Sequence, residues 1–475
     1  MKPAQTFFLA LGVAVGIVVS LVLLALVLPS TSAPPPLTAV SAELSVNLTP
    51  SQVSPAFYGV GLRGDRELSS DSVSLLSATP IRFLRFPDGA IGERMDLVNG
   101  TLYEPGYSNT SLASVTTAQF VSVCRATNCS AIIQLPLEIN DSATAAYEVH
   151  FIEDNLGFHP AYWELGNEPV TWECFDVPWV DWGTDCTGPG TTPAALALET
   201  HAYIAAVRGV DPAARFVGLG GTGAGNADDA SWIIPLEQED GPNLSAISIH
   251  SYVDDHIPSS TDVSLPSFFS GLSSAYSVPN ILANARAAIA SACPACATQV
   301  FITEMDSVSG FDPLAPYLST YYNGVFFAAE EAQGLNSQAA NIDPFCWENG
   351  LITAAGIQAR YTIESQFLTQ LGPEQYNAST NASGVYVAVT GGSGAVQLLA
   401  VNTGSTDDVQ LSLAGSNLHF TGSIFETLWT SAESAPATES LNTTTASTLV
   451  LPPTSVVLVS SSGSVAAAAL DVLSV

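Results

Sequence analysis

The chain has 475 residues, 47% of them hydrophobic, and sets 11 Lys+Arg against 44 Asp+Glu for a formal net charge of −33. So few cations cannot displace counterions from a phosphate backbone, which excludes nucleic acid and an anionic membrane surface as partners. The apolar content excludes a globally disordered chain, and small neutral or carbohydrate substrates remain.

Phe7 to Leu28 is apolar or small throughout, about 22 positions, enough at ~1.5 Å rise per residue to cross a ~30 Å hydrocarbon core. Lys2, the only lysine, precedes it and no cation follows until Arg63, so the N-terminus is expected in the cytoplasm and the body outside. A cleaved signal peptide is the rival reading, because Ser30, Thr31, Ser32 and Ala33 follow the run. The run exceeds the ~7–15 residues of a typical signal core, which favours the anchor. Residues 1–33 are read as this segment. Residues 34–54 are read as a stalk around Pro34, Pro35 and Pro36, then an alternating strand, Ala42 to Leu48, expected to join a C-terminal sheet. Seven cysteines and nine Asn-x-Ser/Thr sequons suit an exported, glycosylated chain.

From residue 55 to 375 short apolar runs alternate with Ala-rich stretches of helical character, the pattern of a parallel sheet with crossover helices. Eight runs qualify: Ala56–Gly61, Ile81–Phe86, Ala131–Pro136, Tyr162–Gly166, Arg215–Gly220, Ala246–Ser251, Val300–Thr303 and Ala340–Trp347. Eight strands over this length predict a (β/α)8 barrel, the TIM-barrel form of the α/β class. Residues 376–460 change texture. Short alternating runs between Gly, Ser and Asn turns predict an antiparallel β-sandwich, and 461–475 a loose tail. Cys293 and Cys296 lack the second pair that a zinc or redox site would need, and no metal or cofactor is implied.

Active residues of such a barrel sit at the C-terminal ends of its strands. Asn167 and Glu168 follow the fourth run, in Leu165-Gly166-Asn167-Glu168-Pro169, and Glu304 ends the seventh, in Thr303-Glu304. Either alone is an ordinary strand-end carboxylate. Together they place two carboxylates across one mouth, which glycoside cleavage requires of an acid and a nucleophile. Asp306 and Glu348 lie close by and are the rival carboxylates, and Trp172, Trp179 and Trp182 stand in the long loop after the fourth strand, which a Cys174–Cys186 pair would brace.

These motifs resemble glycoside hydrolase clan A. With Arg85-Phe86-Pro87-Asp88-Gly89 and the C-terminal β-domain they are most similar to family 79, the β-glucuronidase and heparanase-like enzymes, with families 39 and 51 as competitors. The resemblance spans roughly residues 55–460. It implies a retaining enzyme with Glu168 as acid/base and Glu304 as nucleophile. It also implies substrate contacts from Asn167, His250, Tyr252 (in His250-Ser251-Tyr252), Arg85, Asp88 and Trp347. Arg85 would keep Glu304 ionised, Tyr252 would steady it, and Trp347 would stack on a sugar face or serve as buried packing. Asp88-Gly89 departs from the Gly-Gly common in the family. The expected function is hydrolysis of β-glycosidic bonds in extracellular glycans or glycosides. The alternative is a non-catalytic glycan-binding or cell-envelope protein on the same scaffold.

Overall fold

The computed structural model describes residues 39–462 except 104–109, 170–191, 222–228, 254–263, 308–316, 318–319, 348–350, 354–355, 393–394, 417, 419, 421–422, 431–436 and 442–446. The Phe7–Leu28 segment, the stalk, Trp172, Trp179, Trp182, Cys174, Cys186, Glu348 and most of the tail lie outside the described residues. Among the described residues, no helix is long and apolar enough to cross a membrane.

The chain enters on β1 (Val40–Gln52) and then builds a parallel ring. Its strands are β2 (Gly59–Gly61), β3 (Phe83–Phe86), β7 (Ser130–Leu135), β8 (Tyr162–Leu165), β9 (Phe216–Gly218), β10 (Leu244–Tyr252), β11 (Gln299–Asp306) and β12 (Asn341–Pro344), each paired with the next. Ile342 N–H donates to Phe57 O at 2.7 Å beside a parallel Tyr58–Ile342 bridge, which closes the barrel. All eight strands fall on the expected apolar runs. An antiparallel excursion that the pattern did not foresee, β4 (Met95–Asp96), β5 (Thr101–Tyr103) and β6 (Thr110–Leu112), follows β3.

The period of two within each strand sorts the barrel. Phe83, Ile132, Tyr162, Val217, Ala246 and Phe301, one from each of six strands, pack on one another as an inner layer, with Phe83, Tyr162 and Phe301 in edge-to-face contact. Their neighbours Leu84, Ile133, Trp163 and Ile302 join the separate, larger core shared with the helices. Two residues beyond the inner layer the same alternation brings in Arg85 and Glu164. Helix starts are set locally. Thr116 and Gln119 form a reciprocal capping box, Asp141 accepts from Ala143 and Thr144 N–H, and Thr192 caps ahead of Pro193.

The short pair β13 (Ile352–Thr353) and β14 (Gly356–Ile357) precedes the helix Ala359–Gln370, and β15 (Glu374–Thr380), β16 (Val385–Gly392), β17 (Ala395–Asn402), β18 (Val409–Ser412), β19 (Ser423–Thr430), β20 (Ala437–Leu441), β21 (Thr448–Leu451) and β22 (Ser455–Ser462) follow it. β15 to β22 form one nine-stranded sheet with β1, in the order β20-β19-β22-β17-β16-β15-β1-β18-β21. It curls over its own apolar core, including Leu44, Leu398, Leu411 and Val457. One pairing departs from the antiparallel expectation: β1 runs antiparallel to β15 but parallel to β18. Barrel helices meet the sheet through hydrogen bonds from Tyr321 Oη to Trp429 O (2.8 Å), Asn336 Nδ2 to Val387 O (2.7 Å) and Gln397 Nε2 to Phe367 O (3.0 Å).

Candidate active site

The strand ends converge on Arg85, which projects from β3 and is fully buried. Its Nε donates to Glu164 Oε2 (2.5 Å), Nη1 to both Asp88 Oδ1 (2.6 Å) and Glu304 Oε1 (2.8 Å), and Nη2 to Asn167 Oδ1 (2.8 Å). An isolated buried guanidinium would be costly. Here carboxylates from the ends of β3, β8 and β11 share it. Space for this polar layer is left by β2, where a Cβ on Gly61 would come within 2.0 Å of Asp88 Oδ2 and one on Gly59 within 2.0 Å of Asp343 Oδ1.

Glu304 is held from both sides. Tyr252 Oη, at the end of β10, donates to Oε2 at 2.7 Å while Arg85 occupies Oε1. Burial pushes the Glu304 carboxyl up, but His250, Arg85 and these two hydrogen bonds outweigh it and hold it below the ordinary glutamate value. Burial, together with the neighbouring Glu304 and Glu168 carboxylates, pushes Tyr252 well above a normal phenol, so it remains an O–H donor. His250 Nδ1 lies 2.8 Å from Glu168 Oε1 and 3.5 Å from Glu304 Oε2. Burial favours its neutral form, yet Glu304 and Glu168 win and raise its pKa.

Glu168 stands at the rim, its side chain 15% exposed against 4% for Glu304. One oxygen of each carboxylate and a ring nitrogen of His250 all lie within 4.8 Å of one another. Their ligand-like spacing is already spent on an internal network, because His250 faces both carboxylates and Arg85 neutralises Glu304. Two residues here adopt the left-handed backbone that side chains avoid: Glu168 (φ 44°) and Asp88 (φ 63°), a kind of strain that concentrates at functional sites. Burial pushes Asp88 up to about 7, against the pull of Arg85.

The structure therefore brings Glu168, Glu304, Asn167, His250, Tyr252, Arg85 and Asp88 to one mouth. Trp347 differs. It is fully buried and packs edge-to-face on Tyr361 (5.9 Å), so packing rather than an open sugar platform describes it. Asp306, a rival carboxylate, turns to Arg360 (3.3 Å) and to the Ser307 N–H (2.7 Å). Sequence reading passed over Glu164, although an acid inside the apolar run Tyr162–Leu165 is a visible signal. It also missed Phe345, whose ring meets Tyr252 (6.2 Å) and lies under the Arg63 guanidinium (5.5 Å). Elsewhere Cys124–Cys129 and Cys293–Cys296 are disulfides, and Cys346 is buried.

No protein-family model matches the chain, and no curated protein matches it. Solved structures share its fold. A family 51 α-L-arabinofuranosidase from Bifidobacterium longum superposes with a TM-score of 0.70 at 14% identity, over 90% of this chain and 100% of that one. A family 51 arabinofuranosidase from Xanthomonas axonopodis pv. citri gives 0.69 at 14% identity, over 89% and 99%. A Paenibacillus polymyxa xyloglucanase of glycoside hydrolase family 44, solved with xyloglucan, gives 0.65 at 12% identity, over 89% and 100%. The chain thus has the barrel-plus-β-sheet fold of these proteins. The likeness does not single out family 79.

Proposed function

We propose that the chain is a retaining glycoside hydrolase. The observation that carries this reading is the pair of carboxylates, Glu168 and Glu304, at the ends of the fourth and seventh barrel strands with oxygens within 4.8 Å. Inverting enzymes leave room for a water between carboxyl groups ~6.5–9.5 Å apart, whereas retaining ones bring them to ~5–5.5 Å. Glu304, ionised and fixed by Arg85 and Tyr252, attacks the anomeric carbon as the bond to the leaving oxygen breaks. Glu168 gives its proton to that oxygen. In the second half Glu168 takes a proton from water, which displaces Glu304 and restores the starting configuration. Asn167, oriented by Arg85, is the donor for a sugar hydroxyl beside the reacting centre.

The substrate class we favour is a β-glycoside of an extracellular glycan, β-glucuronides included, with arabinofuranosides as the class to discriminate from it. The N-terminal apolar segment and the sequons support an enzyme working outside the cytoplasm on a membrane tether. A panel of aryl glycosides, including β-glucuronide, β-glucoside and α-L-arabinofuranoside, assayed from acidic to neutral pH, tests the reading. Glu304→Ala should lower the rate on the best substrate by at least ~10³-fold. Azide should restore turnover with inverted product. Glycan binding without hydrolysis by the wild-type chain would favour the non-catalytic alternative.

A further inference from the structure

One more carboxylate is buried beside the site and has no part in that chemistry. Glu93 lies in the 3₁₀ turn Gly89–Arg94 after β3 and is fully buried. Its Oε2 accepts the backbone N–H groups of Leu137 and Glu138, each at 2.7 Å, and its Oε1 accepts the N–H of Asn167. Those donors belong to the loops after β7 and β8. A single side chain therefore joins the C-terminal ends of three consecutive barrel strands.

The turn that carries Glu93 is itself fixed. A Cβ on Gly92 would fall 2.0 Å from the Gln134 side chain, and Gln134 Nε2 donates to Gly89 O at 3.3 Å. Downstream, Glu148 accepts the Leu97 N–H (3.0 Å) and Thr117 donates to Leu97 O (2.7 Å). On the other side Gly166 (φ 83°) lets the chain pass close: a Cβ there would lie 3.3 Å from Glu93 Oε1. The Glu168 N–H is then taken by Gly220 O at 2.9 Å. The backbone of Gly166-Asn167-Glu168 is thus clamped between Glu93 and the strand end after β9, and the left-handed Glu168 stands at the end of the clamp.

We propose that Glu93 is a positioning residue for proton transfer: by gripping the Asn167 amide it aims the Glu168 carboxyl at the leaving oxygen. This rests on the reading of Glu168 as acid/base. A displacement of ~1 Å at a reacting group costs ~10²-fold, and a well-placed proton donor supplies ~10²–10⁴-fold, so a loosened clamp is measurable.

The test is Glu93→Gln, whose shape is nearly unchanged but whose amide cannot accept on both sides. Its substrates are two aryl glycosides of the sugar that the wild type cleaves best. On the phenyl glycoside, which needs proton donation, kcat/KM should fall roughly 30- to 100-fold. On the dinitrophenyl glycoside it should change by less than about threefold, and azide should speed turnover, as in a Glu168→Ala control. An equal fall on both substrates with no azide effect is the signature of a merely structural role and would overturn the proposal. A Glu168→Ala control without leaving-group or azide dependence would instead sink the acid/base assignment beneath it. Independently of any variant, the Leu137, Glu138 and Asn167 amides of the wild type should exchange hydrogen as slowly as those of the barrel strands. Fast exchange would also overturn it.

Discussion

Arg85 Nη1 is shared by two carboxylates of opposite tendency, Asp88, pushed up to about 7 by burial, and Glu304, held low. Where Asp88 is protonated, Nη1 is left to Glu304; as Asp88 ionises, the two compete for it. Tyr252 is the second support of the same carboxylate, and a hydrogen bond to a charged group contributes ~1.5–3 kcal/mol. Tyr252→Phe should therefore lower kcat by roughly 10- to 100-fold. Because the lost bond favoured the ionised form of Glu304, the acid limb of the kcat/KM profile should move to higher pH. A profile displaced to lower pH, or an unchanged one, would show that Tyr252 does not serve Glu304 in this way.

At the scale of elements, the barrel strands were legible because most of them, such as β3, β7 and β8, are built on Val, Ile, Leu and aromatic residues, and Glu168 and Glu304 follow from counting them. Other parts left weaker marks. β15 and β20 are rich in Thr, Ser and Glu, β21 is very short, and β4 to β6 pair residues without a sustained alternation. Glu93 was invisible for a sharper reason: its partners are backbone N–H groups, which every residue carries, so no side-chain pattern announces the contact. Its turn can be probed through Gly92, packed against the fully buried Gln134. Gly92→Ala overpacks the contact, and such changes cost about 1–3 kcal/mol. Denaturant unfolding should show that loss. Gly92→Ala combined with Gln134→Ser should recover most of it, and strict additivity of the two would argue against the contact.

For the whole molecule the sparse charge becomes a statement about pH. Burial raises Asp88 to about 7 and Glu148 to about 8, and also raises Asp343, Glu331 and Glu364. A carboxyl whose folded pKa exceeds its unfolded value keeps its proton longer in the native state. Its contribution is complete below the unfolded pKa and is lost as pH rises through the folded one. His250, also raised, acts in the same direction, while Glu304 and Asp65, held low, oppose it. The melting temperature should therefore be highest near pH 4–5 and fall between there and pH 8. A melting temperature that climbs over that interval would contradict this balance.

The seating of β1 has a consequence in time. Its partners β15 and β18 lie far along the chain, and the Glu43 N–H donates to Asn381, 338 residues away. Residues of β1 must wait for partners that are made 338 residues later. During synthesis the barrel can gather its helices and strands in order, but β1 keeps an open edge of N–H and C=O groups until the final sheet emerges. Loop closure over such a span carries a large entropic cost before any contact repays it. The emerging chain therefore depends on β15 and β18 to cover β1, and the time before that strand is covered is when the chain is most exposed to mispairing.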